Sequence, residues 1–251
     1  MIRGITDTVK HLLIINVIMF IGRMTLGDGT LFMQWLALYF PENALFQPWQ
    51  IFTHMFMHAD LMHIGFNMFA LWMFGTAVET QLGAKKFIFI YISAGLGAVL
   101  FQLAYYYFNY IPAYTELIAS GLSEAQLVEM FTTNRPVAGM SSSQFSLTQG
   151  AFGIYNASMV GASGCIMGIM AAFGMMNPEA KLMMIFLPIP IKAKYFIPGI
   201  IILDIISAIS GQSFFSPNNT AYMAHVGGAI TGALIMWYWR KNQFNKNRWD
   251  R

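Results

Sequence analysis

Residues 161–176 read GASGCIMGIMAAFGMM, and the fold turns on how this stretch is assigned. Ser163 stands between small residues at the head of an apolar run that stops at Asn177-Pro178, a helix-ending pair. The hydroxyl is either a nucleophile or one of the small groups that let helices pack closely. Composition supplies the setting. Of 251 residues, 57% are hydrophobic and 10% charged, with a mean hydropathy of +0.54. Soluble domains carry about 25% charged residues, so several long apolar runs here point to an all-α polytopic membrane protein. The net charge of +3 is small and sorted by side, which argues against a nucleic-acid partner. The single cysteine, Cys165, excludes an intrachain disulfide framework and a four-cysteine zinc site. No repeat or low-complexity linker interrupts the chain, which reads as one membrane domain over residues 1–251.

Working outward, six apolar segments cover roughly 10–26, 63–81, 87–108, 163–176, 195–210 and 221–239. The first, LLIINVIMFIG, is short and followed by Arg23, but no small-residue cleavage site marks it as a signal peptide. Twelve of the 14 basic residues fall on one side when the N-terminus is placed inside; only Arg23 and Arg135 fall outside. That bias is the positive-inside rule, and it makes both termini cytoplasmic. Residues 27–62 and 109–162 become external segments, and 240–251 a basic cytoplasmic tail. The stretch 109–150 reads as a long polar connection, and Trp49, Phe52 and Phe56 read as interfacial anchors.

Depth then singles out three polar residues. At 1.5 Å per residue, Ser163 lies about 21 Å above the inner boundary at Asn177. His225 lies about 22 Å above Arg240, and Asn67 about 21 to 24 Å above the end of the second segment. Gly164 and Gly168, and likewise Gly228 and Gly232, form small-xxx-small pairs that let backbones approach in lipid. His225, Gly228 and Gly232 share a helix face, as do His63 and Asn67. A serine within reach of an imidazole is an activated nucleophile, and donors nearby hold a developing oxyanion.

Each residue also has a plainer reading. A serine in a small-residue motif serves packing, a membrane histidine bonds a carbonyl, and an asparagine ties helices together. Gly161 is assigned to helix packing with the other four glycines. His54, His58 and His63 suggest a metal site, but only Asp60 is near to complete it, so no metal is assigned. Glu79 reads as a structural acceptor near the inner interface. Asp204, about nine residues beyond the inner end of the fifth segment, reads as a structural or gating contact, with no aspartate at the depth of Ser163.

Together, GASG around Ser163, AHVGGAITG around His225 and HADLMHIGFN from His58 to Asn67 resemble the rhomboid intramembrane serine proteases. WQIFTHMFMH (49–58) and FGTAVETQLG (74–83) extend the resemblance, which runs over roughly residues 10 to 240. It implies a six-transmembrane-helix rhomboid-like bundle with no cofactor. Its implied activity is an intramembrane serine endopeptidase that cuts transmembrane segments of membrane proteins near the outer face. Ser163 would be the nucleophile and His225 the general base of a Ser-His dyad. His63, Asn67 and the backbone N–H of Ser163 would stabilise the oxyanion. The implied partners are transmembrane protein substrates and the lipid bilayer; client identity and oligomeric state stay open. A prokaryotic plasma membrane is the expected location.

Two positions depart from the family pattern. Rhomboids often carry Trp-Arg in the first external loop, where this chain has Trp49-Gln50. An aromatic residue often stands four positions after the serine; here Met167 is placed to cover the imidazole through its sulfur. His58 reads as a hydrogen-bonding group near the active-site loop. The fifth helix and loop 211–220, with Phe214 and Phe215, read as the access side. The alternative function is a non-proteolytic rhomboid-like membrane protein that binds transmembrane clients. Such proteins typically lack the serine or the histidine, and this chain keeps both.

Overall fold

The computed structural model describes residues 4–184, 187–214 and 220–246. Part of loop 211–220, Phe215 included, and the basic residues Arg3, Arg248 and Arg251 lie outside the described residues. Among the described residues the architecture is helical, with two small antiparallel strand pairs.

Helix α1 (Asp7–Thr25) begins where Glu79 waits for it. The Glu79 carboxylate accepts the Thr6 hydroxyl at 2.5 Å and the Thr8 and Val9 amides at 3.2 and 3.0 Å. A helix start leaves its first N–H groups without partners, and a carboxylate there meets both the donors and the dipole. Glu79 is therefore the acceptor expected of it. Helix α4 (Leu61–Leu82) carries Glu79 near one end and His63 near the other. A π-helical turn at Leu71–Gly75 divides them, and Asp60 caps the start by accepting the His63 amide at 2.8 Å.

Between these helices lie α2 (Thr30–Leu36), strand β1 (Leu38–Tyr39) and α3 (Gln50–Thr53). Gln50 organises this segment. Its Nε2 donates to the carbonyls of Gln34 and Leu45 at 3.0 and 2.9 Å. Its Oε1 accepts the amides of Tyr39 and Gln47 at 3.3 and 3.1 Å. Trp49 and Phe52 are exposed, as anchors would be, whereas Phe56 packs on the main core.

Helix α5 (Ala84–Ala119) has 36 residues and runs on past 108, where the third span was expected to end. At about 54 Å it outlasts a bilayer core of about 30 Å. Its far end does not lead into an unstructured connection. Helices α6 (Glu124–Thr133) and α7 (Ser142–Tyr155) fold back on it, each opened by a Ser-x-x-Gln capping box. Phe40, Tyr110, Leu127, Phe131 and Tyr155 form their shared core. Pro112 lies within α5 without ending it.

Strand β2 (Ser158–Met159) pairs with β1 and hands the chain to α8 (Ser163–Met176). A hairpin of β3 (Lys181–Met184) and β4 (Leu187–Lys192) leads to α9 (Ala193–Ser210), and α10 (Tyr222–Lys246) closes the chain. Among the described residues, α1, α4, α5 and α9 are long and apolar enough to cross a membrane. Six spans were expected, and the other two differ for physical reasons. Helix α8 has 14 residues, so at about 21 Å it is shorter than the hydrocarbon core. Helix α10 is long enough, but His225, three glycines and the Tyr and Trp residues dilute its apolar stretch at 222–239.

Candidate active site

The centre of the molecule is a three-helix contact built from small residues. A Cβ on Gly228 of α10 would overlap the carbonyl of Gly164 on α8, and one on Gly232 would overlap that of Gly168. Added carbons on Gly164 and Gly168 would in turn press on Ala98 and Ala94 of α5. Gly97 and Gly227 bring α5 and α10 together in the same way, against Thr231 and Phe101. Backbones this close exclude side chains at the crossing and fix what stands beside it. Ser163 precedes Gly164 by one residue, and His225 lies three before Gly228 on the same face. Gln102 of α5, buried, accepts the Ala224 amide at 3.1 Å and so holds the opening turn of α10. Gly97, Gly227 and Gln102 went unrecognised in the sequence; the small-residue run AGLGA at 94–98 was the available signal.

Gly161 has a different task from the other glycines. It sits ahead of α8 at φ +125°, a conformation that favours glycine, and its amide donates to the His54 carbonyl at 2.9 Å. A Cβ there would stand 2.8 Å from His63 Nε2 and 3.7 Å from Ser163 Oγ. The missing side chain of Gly161 leaves a space bordered by the imidazole and the hydroxyl.

The hydrogen bonds define what faces that space. The Ala59 amide donates to His63 Nδ1 at 3.3 Å, so in the neutral ring Nε2 carries the proton. Asn67, nearly buried, donates from Nδ2 to the His63 carbonyl at 2.9 Å, which engages one of its two amide hydrogens. Ser163 opens α8, and the first i→i+4 bond of that helix runs from the Ile166 amide to the Ala162 carbonyl. The amides of Ser163 to Cys165 are therefore helix-start donors. The Ser163 hydroxyl has no hydrogen-bond partner among the described residues.

The other histidines support this geometry from outside the helices. His54 Nδ1–H donates to the Gln50 carbonyl at 2.8 Å, and burial pushes the ring down to about 4. His58 is held down to about 3 by burial and then by the neighbouring His63 ring, whose centroid is 5.1 Å away, edge to face. The expected hydrogen bonds of His58 are replaced by that ring contact, since neither of its nitrogens has a partner among the described residues. His54 and His63 thus commit Nδ1 to backbone groups. Among the described residues no three of histidine, cysteine, aspartate or glutamate converge as metal ligands.

Asp204 was not expected here. It is fully buried on α9, and its Oδ2 lies 2.9 Å from His225 Nδ1. The reading of Asp204 as a contact remote from the depth of Ser163 is corrected, because it touches the histidine itself. Cys165 is buried beside Gly95 and Met55, away from this contact.

Comparison with known proteins identifies the family. The sequence model of the rhomboid domain matches residues 45–242. "Rhomboid protein 1, mitochondrial" of Saccharomyces cerevisiae is 28% identical over 184 residues, which cover 73% of this chain and 39% of that protein. "Rhomboid protease GlpG" of Salmonella paratyphi A and of Salmonella typhi is 44% identical over 80 residues, covering 32% of this chain and 29% of each relative. The chain thus spans well under half the length of the curated relatives it matches. With its long apolar helices and this match over most of its length, the chain is an integral membrane protein and belongs to the rhomboid family.

Proposed function

We propose that this protein is an intramembrane serine endopeptidase that cleaves transmembrane segments of membrane proteins near the outer face, with Ser163 as nucleophile and His225 as general base. The observation that carries this reading is the backbone contact of Gly164 with Gly228, which sets the serine and the histidine beside one crossing. The relatives named rhomboid proteases support the same reaction class.

The steps follow from the geometry. An unwound stretch of substrate presents its carbonyl to the space left by Gly161. Ser163 Oγ forms a bond to the carbonyl carbon as its proton passes to His225, and the carbonyl π electrons become an oxyanion. His63 Nε2–H, the Ser163 amide and the second Asn67 amide hydrogen supply donors to that charge, helped by the positive end of α8. The imidazolium then protonates the leaving nitrogen as the C–N bond breaks, and water hydrolyses the acyl-enzyme by the same route. The short α8 supports a recessed hydroxyl, since a helix of about 21 Å starting from the inner boundary ends below the outer surface. In the same reading the chain makes six passes, keeps both termini cytoplasmic and resides in a prokaryotic plasma membrane.

The test is cleavage of a reporter transmembrane segment by the purified protein in liposomes. Wild type should cut it, while Ser163→Ala and His225→Ala should not. Equal cleavage by wild type and Ser163→Ala would falsify the assignment.

A further inference from the structure

Asp204 stands in an isoleucine-rich stretch, IILDIIS, where a carboxylate is costly unless paired. One partner is the histidine on α10, through Nδ1, at 2.9 Å. An imidazole has two nitrogens, so a contact made by one decides what the other can do. A carboxylate accepts and does not donate, which fixes the proton on Nδ1 and leaves Nε2 bare. Three elements now bear on one ring: Gly228 sets its helix against α8, Gln102 holds its opening turn, and Asp204 orients the ring from α9.

We propose that Asp204 is a positioning residue for His225: its carboxylate accepts the Nδ1 hydrogen and keeps Nε2 free to take the proton of Ser163. The site is then a serine, histidine and aspartate drawn from α8, α10 and α9, in place of the dyad expected from the family pattern. This rests on Ser163 and His225 acting as described above. During attack the Ser163 proton moves to Nε2, the Nδ1 hydrogen stays on the ring, and the imidazolium is stabilised by the carboxylate, which is not protonated in the cycle.

The first measurement uses the wild-type protein. Nitrogen-15 spectra of histidine-labelled enzyme in detergent, with His225→Gln to assign the signals, should show Nδ1 of His225 protonated and Nε2 bare. The opposite tautomer overturns the proposal, whatever any variant does. The second measurement is Asp204→Asn. The amide can donate to Nδ1 and hold the proton on Nε2 instead, the effect that costs about 10,000-fold in kcat in the serine-protease triad. The expected result is a loss of about 100-fold or more in kcat, KM within about threefold, and a reversed His225 signature. An unchanged kcat overturns the proposal. So does a loss of activity with the tautomer retained, because the carboxylate then acts only on the fold. If Asp204→Asn does not fold, the wild-type spectrum alone decides. Failure here is distinct from failure of the protease assignment, which appears as cleavage that persists in Ser163→Ala.

Discussion

Gly161→Ala separates the geometry of the oxyanion space from the stability of the fold. The new Cβ meets two penalties. The backbone holds φ at +125°, a strained region for an L side chain that costs about 1–3 kcal/mol. The Cβ would also stand 2.8 Å from His63 Nε2, too close for a carbon, so the imidazole has to move. Moving it withdraws one proposed oxyanion donor, and such a loss costs about 100- to 1,000-fold in kcat. Gly121→Ala is the control. Gly121 also has positive φ, +98°, but nothing lies within 4 Å of its missing Cβ. It should lose similar stability and keep kcat within about twofold, since strain alone does not touch the donors. The assay is initial cleavage of a reporter segment over a range of substrate concentrations, with thermal unfolding measured in parallel. Gly161→Ala should lower kcat with little change in KM, because the donor acts on a charge that exists only in the transition state. Full kcat in Gly161→Ala, or an equal loss in Gly121→Ala, would refute the reasoning.

Three further outcomes are expected. Gly228→Val forces α10 away from the Gly164 carbonyl; overpacking of this kind costs about 1–3 kcal/mol, and labelling of Ser163 by a fluorophosphonate should disappear at temperatures where circular dichroism still shows a helical protein. Gln50→Ala strands the two carbonyls and two amides that Gln50 satisfies; it should lower the thermal midpoint by the equivalent of about 2–4 kcal/mol, which differential scanning fluorimetry would register. His54 and His58 titrate in the unfolded chain near 6.5 but are held to about 4 and about 3 in the fold. The unfolded state therefore binds more protons below about 6.5, and stability, constant above that pH, should fall as acid is added. Replacing His58 by Phe should make that fall shallower in unfolding curves from pH 7 to 4.

Much of the site is legible in the sequence because it depends on spacing along helices. Ser163, His225 and Asn67 can be set at a common depth from the rise per residue alone, and the glycine pairs mark where helices touch. The left-handed φ of Gly161 and its approach to His63 are not legible, because they depend on a backbone angle and on a residue far away in the chain. Gln50 is opaque for a related reason: its four partners are backbone groups of an irregular segment, which no pattern of side chains announces. The helices at 124–155 were within reach, since both capping boxes are written in the sequence, but the polar composition of 109–150 suggested a connection. Asp204 is the sharpest failure. A straight-rise count sets it about 8 Å below His225, and that count carries neither the tilt of α9 nor the direction in which its side chains point.

That failure bears on how the site is organised. In a low-dielectric setting a polar side chain gains most when it is already aimed before charge develops, because no solvent is present to correct it. Each group at this site has one atom committed and one atom left over. Ala59 takes Nδ1 of His63 and leaves its Nε2–H beside Ser163. The His63 carbonyl takes one amide hydrogen of Asn67 and leaves the other. Asp204 takes Nδ1 of His225 and leaves Nε2. The Ser163 hydroxyl, in contrast, has no hydrogen-bond partner among the described residues. The orienting partners come from the end of the 27–62 segment, from α4 itself and from α9, so the ring on α10 and the ring on α4 are aimed by separate parts of the chain. In the proposed mechanism, displacing α9 would therefore disarm the base without disturbing the oxyanion donors, whereas displacing Ala59 would do the reverse.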